Sequence, residues 1–94
     1  MKSSFDVYLG QQLKKPKVRE AFEQERKFLD IGFALASQRK KQGLTQEEIA
    51  KKIGSSAPQV SRTERRPEHS NVRTLARYAA AVGMELDLRL VAKR

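Results

Sequence analysis

The sequence predicts an all-α fold of four to five helices closed by a single C-terminal β-strand, on the strength of three observations. No proline or glycine-rich break lies between Lys17 and Gln42 apart from Gly32, and apolar residues recur there at helical spacing. Two helix-start signatures, Thr45-x-x-Glu48 and Ser56-x-x-Gln59, follow in close succession. Only the closing stretch MELDLRLVA alternates with a period of two, setting Met84, Leu86, Leu88 and Leu90 against Glu85, Asp87, Arg89 and Val91.

In chain order, Phe5, Tyr8, Leu9 and Leu13 fall at helical spacing behind Ser4 as a candidate N-cap, until Lys14-Lys15-Pro16 interrupts the pattern. Val18, Phe22, Phe28, Leu29, Ile31, Phe33 and Leu35 then argue for one long helix or two abutting ones, ended by Gly43. The window FLDIGFALA is apolar on nearly every side, so one face can pack on the domain while the other calls for a second surface. Thr45 starts a helix at Gln46 that runs to Gly54. Ser56 starts another over roughly Ala57 to Arg65, where Pro58 is tolerated because a first-turn N–H has no intrahelical partner. A polar loop from Arg66 to Ser70 leads to Asn71, which caps a helix stopped by Gly83. The expected core is Ile31, Leu35, Leu44, Ile49, Ile53, Val60, Leu75, Tyr78 and Val82.

The 94-residue chain suits one small domain with appendages. With 20 Lys+Arg against 11 Asp+Glu, its net charge of +9 creates a field that draws in polyanions. Residues 1–30 carry seven bases and five acids, residues 31–70 eight and four, and residues 71–94 five and two, so the excess lies mainly after residue 30. No Cys is present, which excludes disulfides and cysteine zinc sites and fits a reducing cytoplasm. No apolar run resembles a signal peptide or a membrane span, so no membrane partner is expected. His69 stands in a charged loop without a second ligand, so no metal and no cofactor is expected. The chain offers no nucleophile–base pair and no Gly-rich phosphate loop for an enzyme. Nor does it offer an aromatic sheet for stacking RNA bases.

Two short capped helices joined by a Gly-containing turn form a helix-turn-helix unit, whose second helix enters the major groove. The stretch GLTQEEIAKKIG…VSRTE resembles the phage-repressor (Xre-type) helix-turn-helix from about Ile31 to Gly83. The wider pattern, FDVYLGQQLKKPKVREAFEQE before it and GMELDLRLV after it, resembles the HigA-type antitoxins of bacterial type II toxin–antitoxin modules. The resemblance implies a phage-repressor-like bundle in a DNA-binding antitoxin. Such a protein neutralises a RelE/HigB-like mRNA interferase and represses its own operon on double-stranded operator DNA, in the cytoplasm and on the nucleoid. A stand-alone repressor without a toxin shares every DNA argument and differs only in what residues 1–30 do.

The resemblance also implies that Gln46 anchors a phosphate and that Arg39 pairs with Glu64, bracing two helices while leaving donors for phosphate. Base reading falls on the first two turns of the second helix of the unit: Ser56, Ala57, Pro58, Gln59, Ser61 and Arg62. Gln can pair with adenine and Arg with guanine, although Gln59 can instead be consumed by its own capping box. Ala57 and Pro58 stand where the family often has long polar side chains, leaving methyl contact or shape. Arg65 and Arg66 suit the phosphate backbone, while Lys40, Lys41, Lys51, Lys52 and Arg73 read equally as a solvated face.

Three segments result: residues 1–30 as a helical arm, 31–83 as the DNA-binding domain, and 84–94 as a dimerisation strand and basic tail. The arm carries Phe5, Tyr8, Leu9, Leu13, Val18, Phe22 and Phe28 as candidate toxin contacts. Leu86, Leu88 and Leu90 need a partner edge, most simply the same strand of a second copy in a homodimer.

Overall fold

The computed structural model describes residues 4–93. Five α-helices and one 3₁₀ turn make up its regular structure: α1 (Ser4–Gln12), α2 (Pro16–Lys41), α3 (Gln46–Ile53), α4 (Ala57–Arg65), the turn Pro67–His69, and α5 (Val72–Ala81). Each boundary has a local cause. Pro16 opens α2 as its first residue, where a missing N–H costs nothing. Asn71 caps α5, its Oδ1 accepting from Thr74 N at 2.8 Å. At Gly83, φ is +75°, and Met84 N donates back to Ala79 O at 2.7 Å, closing α5 in a left-handed turn that a side chain would oppose. Ser4 lies within α1 and so is not its cap.

The core lies between the C-terminal half of α2 and helices α3, α4 and α5. Leu35, Ile49, Ala50, Val60, Leu75, Tyr78, Ala79 and Val82 are buried, with Ile31, Leu44, Ile53 and Leu86 packed against them. All nine residues expected in the core are therefore in it or on it. Thr63 is buried as well, and its hydroxyl is satisfied by Gln59 O and Ser70 Oγ, each at 3.0 Å. The loop after α4 is not uniformly polar: Pro67 is buried under α2. Gly32 explains why. A Cβ built there would lie 2.1 Å from Glu64 O and 3.2 Å from Pro67 Cδ, so α2 crosses the end of α4 with backbone nearly touching backbone.

Residues 4–30 stand apart from this core. α1 buries no residue, and every side chain from Arg19 to Asp30 is exposed. The radius of gyration is 16.0 Å, against about 12 Å for a compact chain of this length. The excess reflects α1 and the first half of α2 projecting from the helical unit.

The expected C-terminal strand is not formed. Residues 84–93 form no regular secondary structure, and beyond Met84 no backbone hydrogen bond is made among the described residues. A strand exists only as part of a ladder, and the helical unit presents no sheet edge. The segment instead runs back beside α2. Leu86 packs on the core, Leu88 lines a hollow of about 500 Å³ with Phe28 and Ile31, and Lys93 Nζ lies 3.4 Å from Glu20. Leu90 and Val91 point fully into solvent.

Candidate nucleic-acid interface

The interface is built from α3, its turn and α4. Thr45 Oγ1 accepts from Glu48 N at 3.1 Å while the Glu48 carboxylate accepts from Thr45 N at 3.1 Å, so the expected capping box forms and fixes Gln46 in the first turn. The backbone N–H and then the hydroxyl of Thr45 hold the Glu48 carboxyl below its usual range. Gly54, at φ +68°, turns the chain between the two helices. Ser56 Oγ accepts from Gln59 N at 3.3 Å and starts α4, but only this half of the second box is made: the Gln59 amide has no hydrogen-bond partner among the described residues.

Helix α4 divides cleanly by face. Val60 and Thr63 are buried, Ala57, Gln59, Ser61 and Glu64 are half-buried, and Pro58, Arg62 and Arg65 form an exposed stripe at i, i+4, i+7 that Arg66 extends past the helix end. Arg62, Arg65 and Arg66 together line a hollow of about 230 Å³. None of the three meets a carboxylate among the described residues. Their donors face solvent, and three adjacent guanidinium groups without counter-charges attract an anion.

What orients this stripe is a hub at Glu64. Arg39 Nε donates to Glu64 Oε2 at 2.8 Å and Arg39 Nη2 to Oε1 at 3.1 Å; Gln46 Nε2 donates to Oε1 at 3.2 Å, and the Tyr78 hydroxyl donates to Oε2. One carboxylate thus ties α2, α3 and α5 to α4. Burial pushes the Glu64 carboxyl up, but hydrogen bonds from Arg39, Tyr78 and Gln46, with the Arg39 charge, outweigh it and hold the group below the ordinary range. The hydrogen bond to Glu64 raises Arg39. Burial, then Glu64, drives the Tyr78 hydroxyl well above its usual value.

The hub engages two of the predicted site residues. Arg39 is buried, with three of its donors used by Glu64 and by Leu44 O at 2.9 Å, which places it beneath the surface as a brace. Gln46 stays at the surface, half-buried, with one amide hydrogen held by Glu64. It lines a hollow of about 540 Å³ with Arg39, Thr45 and Ala57, so the starts of α3 and α4 share one depression. Ser56 is exposed beside it.

The arm residues are elsewhere. Phe5, Tyr8, Phe22 and Phe28 are exposed and Leu9, Leu13 and Val18 half-buried, and none lines either hollow of the α3–α4 surface.

The resemblance implies the Arg39–Glu64 pair but not the arrival of Tyr78 and Gln46 on the same carboxylate, nor the role of Gly32. The one available signal for Gly32 was a lone glycine within the helical window FLDIGFALA, where a residue of low helix propensity calls for a packing reason.

A capped helix-turn-helix on a helical bundle, with unpaired arginines along its second helix, defines a DNA-binding domain. The Helix-turn-helix family matches residues 35–88, more than half of the chain, and the protein belongs to that family as an Xre-like DNA-binding transcriptional regulator. No curated protein and no solved structure matches the chain. No helix among the described residues is long and apolar enough to cross a membrane.

Proposed function

We propose that the protein is a HigA-type antitoxin: a non-enzymatic autorepressor that binds operator DNA as a homodimer through α3 and α4 and neutralises a RelE/HigB-like mRNA interferase through residues 1–30. The observation that carries the DNA half is the exposed Pro58–Arg62–Arg65 stripe, whose arginines meet no carboxylate among the described residues while the one acid of α4 is occupied by the hub. In this reading Gln46 and the starts of α3 and α4 meet one phosphate strand, Arg65 and Arg66 meet the backbone further along, and Ser56, Ala57, Gln59, Ser61 and Arg62 face bases. Gln59 keeps its amide available, having left the capping box half-made. Arg39 acts by holding the helices in register.

The arm and the C-terminal segment support the partner half. Apolar side chains at Phe5, Tyr8, Phe22, Phe28, Leu29 and Phe33 are exposed on α1 and α2, more than a free surface needs. Residues 85–93 carry unpaired backbone with Leu88 and Leu90 uncovered, suited to pairing with the same segment of a second copy or with the edge of a toxin's sheet. The stand-alone repressor remains the second reading, because the DNA surface does not depend on the arm.

The test is fluorescence anisotropy on DNA taken from upstream of the protein's own gene. Arg62→Ala should weaken operator binding by about 1–3 kcal/mol while leaving random DNA little changed. Arg66→Ala should weaken both alike and flatten the slope of log K against log[salt] by about one, given roughly −0.9 per phosphate neutralised. An affinity independent of salt would dismiss DNA as the ligand.

A further inference from the structure

The exposed stripe of α4 has an unusual hydrogen-bonding inventory. Base edges in the major groove are distinguished by what they present: adenine N6 and cytosine N4 are donors and need acceptors, guanine offers N7 and O6 as acceptors, and thymine offers its 5-methyl beside O4. On this stripe the first turn is apolar, with Pro58 exposed and the Ala57 methyl half-exposed beside it. One turn on, Arg62 supplies donors and no acceptor. The larger acceptors of α4 are turned inward: Thr63 Oγ1 is buried against Gln59 O and Ser70, and the Glu64 carboxylate accepts from Arg39, Gln46 and Tyr78. The N-cap Ser56 hydroxyl, which already accepts from Gln59 N, the half-buried Gln59 amide and the half-buried Ser61 hydroxyl can accept at the margins of the stripe. The outward line of the helix therefore complements acceptor and methyl edges and opposes donor edges.

Building on the DNA-binding reading, we infer that α4 reads a thymine 5-methyl group with Pro58 and Ala57 next to a guanine read by Arg62. Pro58 becomes a specificity-determining residue, recognising a methyl-bearing pyrimidine by apolar contact. The spacing fits. Four residues of helix rise about 6 Å, under two base steps of about 3.4 Å, so the two side chains address adjacent or next-adjacent pairs. Pro58 suits the role because its ring is rigid and its missing N–H lies in the first turn, where no intrahelical acceptor is lost.

The experiment starts from the operator that the wild-type protein enriches from a pool of randomised duplexes, and replaces each thymine of a half-site singly by uracil. Uracil keeps every hydrogen-bonding atom and lacks only the methyl. One replacement, within two pairs of the guanine whose preference Arg62→Ala abolishes, should weaken binding about three- to fivefold, the value of one buried methyl. Pro58→Gln, at an exposed first-turn position, should melt like the wild type and bind the thymine and uracil duplexes equally. Equal binding of every thymine–uracil pair by the wild-type protein would overturn the inference while leaving the DNA-binding reading intact, as would enrichment of adenine or cytosine at that position. A pool that yields no enriched sequence at all would instead overturn the DNA-binding reading together with the inference.

Discussion

Tyr78 and Tyr8 show how differently the two regions of this chain are built. Tyr78 is 0% exposed at the middle of the helical unit, its ring packed among α2, α3 and α4 residues and its hydroxyl on Glu64. Tyr8 is 59% exposed on a helix that buries nothing. The two helices differ in pattern: α5 sets a well-defined apolar face against Arg73 and Arg77 and carries four alanines, whereas α1 has no sharp apolar face and contains Gly10. Neighbouring elements close over the face of α5, and none closes over α1. Residues 31–83 close around one carboxylate and form a rigid frame for α4, whereas residues 4–30 keep their apolar side chains available.

If stability is concentrated at the hub, removing its carboxylate has the largest effect. Glu64→Ala leaves Arg39 buried without its charge partner and strips Tyr78 and Gln46 of their acceptor. The expected loss is about 3–5 kcal/mol, read as a thermal midpoint lowered by roughly 4–8 °C for each kcal/mol. A shift of only a few degrees would show that the four helices hold their places without Glu64.

A pair of glycines sharpens the comparison further, because the same substitution has opposite signs in the two regions. At Gly32 an added Cβ meets the Glu64 carbonyl and Pro67, so Gly32→Ala forces α2 and α4 apart and costs about 1–3 kcal/mol. At Gly10 on α1 nothing lies within 4 Å, and Gly10→Ala stabilises the helix by roughly 0.5–1 kcal/mol. Far-ultraviolet circular dichroism melts of the two variants check both signs, and equal effects would contradict the close crossing at Gly32.

The pH dependence follows from the hub as well. The Glu64 carboxyl lies below its ordinary value of 4.5 in the folded protein, so near that pH the unfolded chain binds more protons. Its stabilisation is fully present above about 4.5 and is lost as pH falls through the lower folded value. The Tyr78 hydroxyl is displaced upward from 10.0, so its share is complete below that pH and is lost at higher alkalinity. Denaturant midpoints measured from pH 3 to 7 should therefore decline on the acid side, and Glu64→Gln should show a shallower decline.

Much of the frame was legible because helix ends are local. Thr45 with Glu48, Ser56, Asn71, Pro16 and Gly54 declare their boundaries within four residues, and each does in the structure what its chemistry dictates. The hub was only half legible, since Gln46 and Tyr78 reach Glu64 from 18 and 14 residues away and nothing in their local spacing points to it. The C-terminal strand misled for a related reason. Period-two alternation reports that a segment has one apolar face, but pairing requires an edge that this single chain does not present, and the segment settled along α2 instead. The exposed stripe of α4 was legible by position; that Arg39 would be buried beneath it was not, because a guanidinium reads as surface until its partners are known.

The smallest effect on folding belongs to the arm, and it carries the partner question. Replacing Phe5 and Tyr8 together by Ser removes two aromatic rings that are 67% and 59% exposed, so the melting midpoint should correspond to a change of under about 0.5 kcal/mol. Operator affinity should stay at the wild-type value, since neither residue lines the α3–α4 surface. If the arm is an antitoxin's grip, those two rings anchor it. Aromatic side chains entering a partner's groove each contribute far more than polar contacts at its rim. Co-expression with the product of the adjacent gene then separates the two functional readings. The doubly substituted protein should still repress a reporter driven by its own promoter, yet fail to co-purify with that product or to protect cells from it. Full protection by the variant would move the neutralising contact to Phe22, Leu29 and Phe33 on α2 or to residues 85–93. Absence of any toxic neighbour would leave a repressor whose exposed arm meets some other protein.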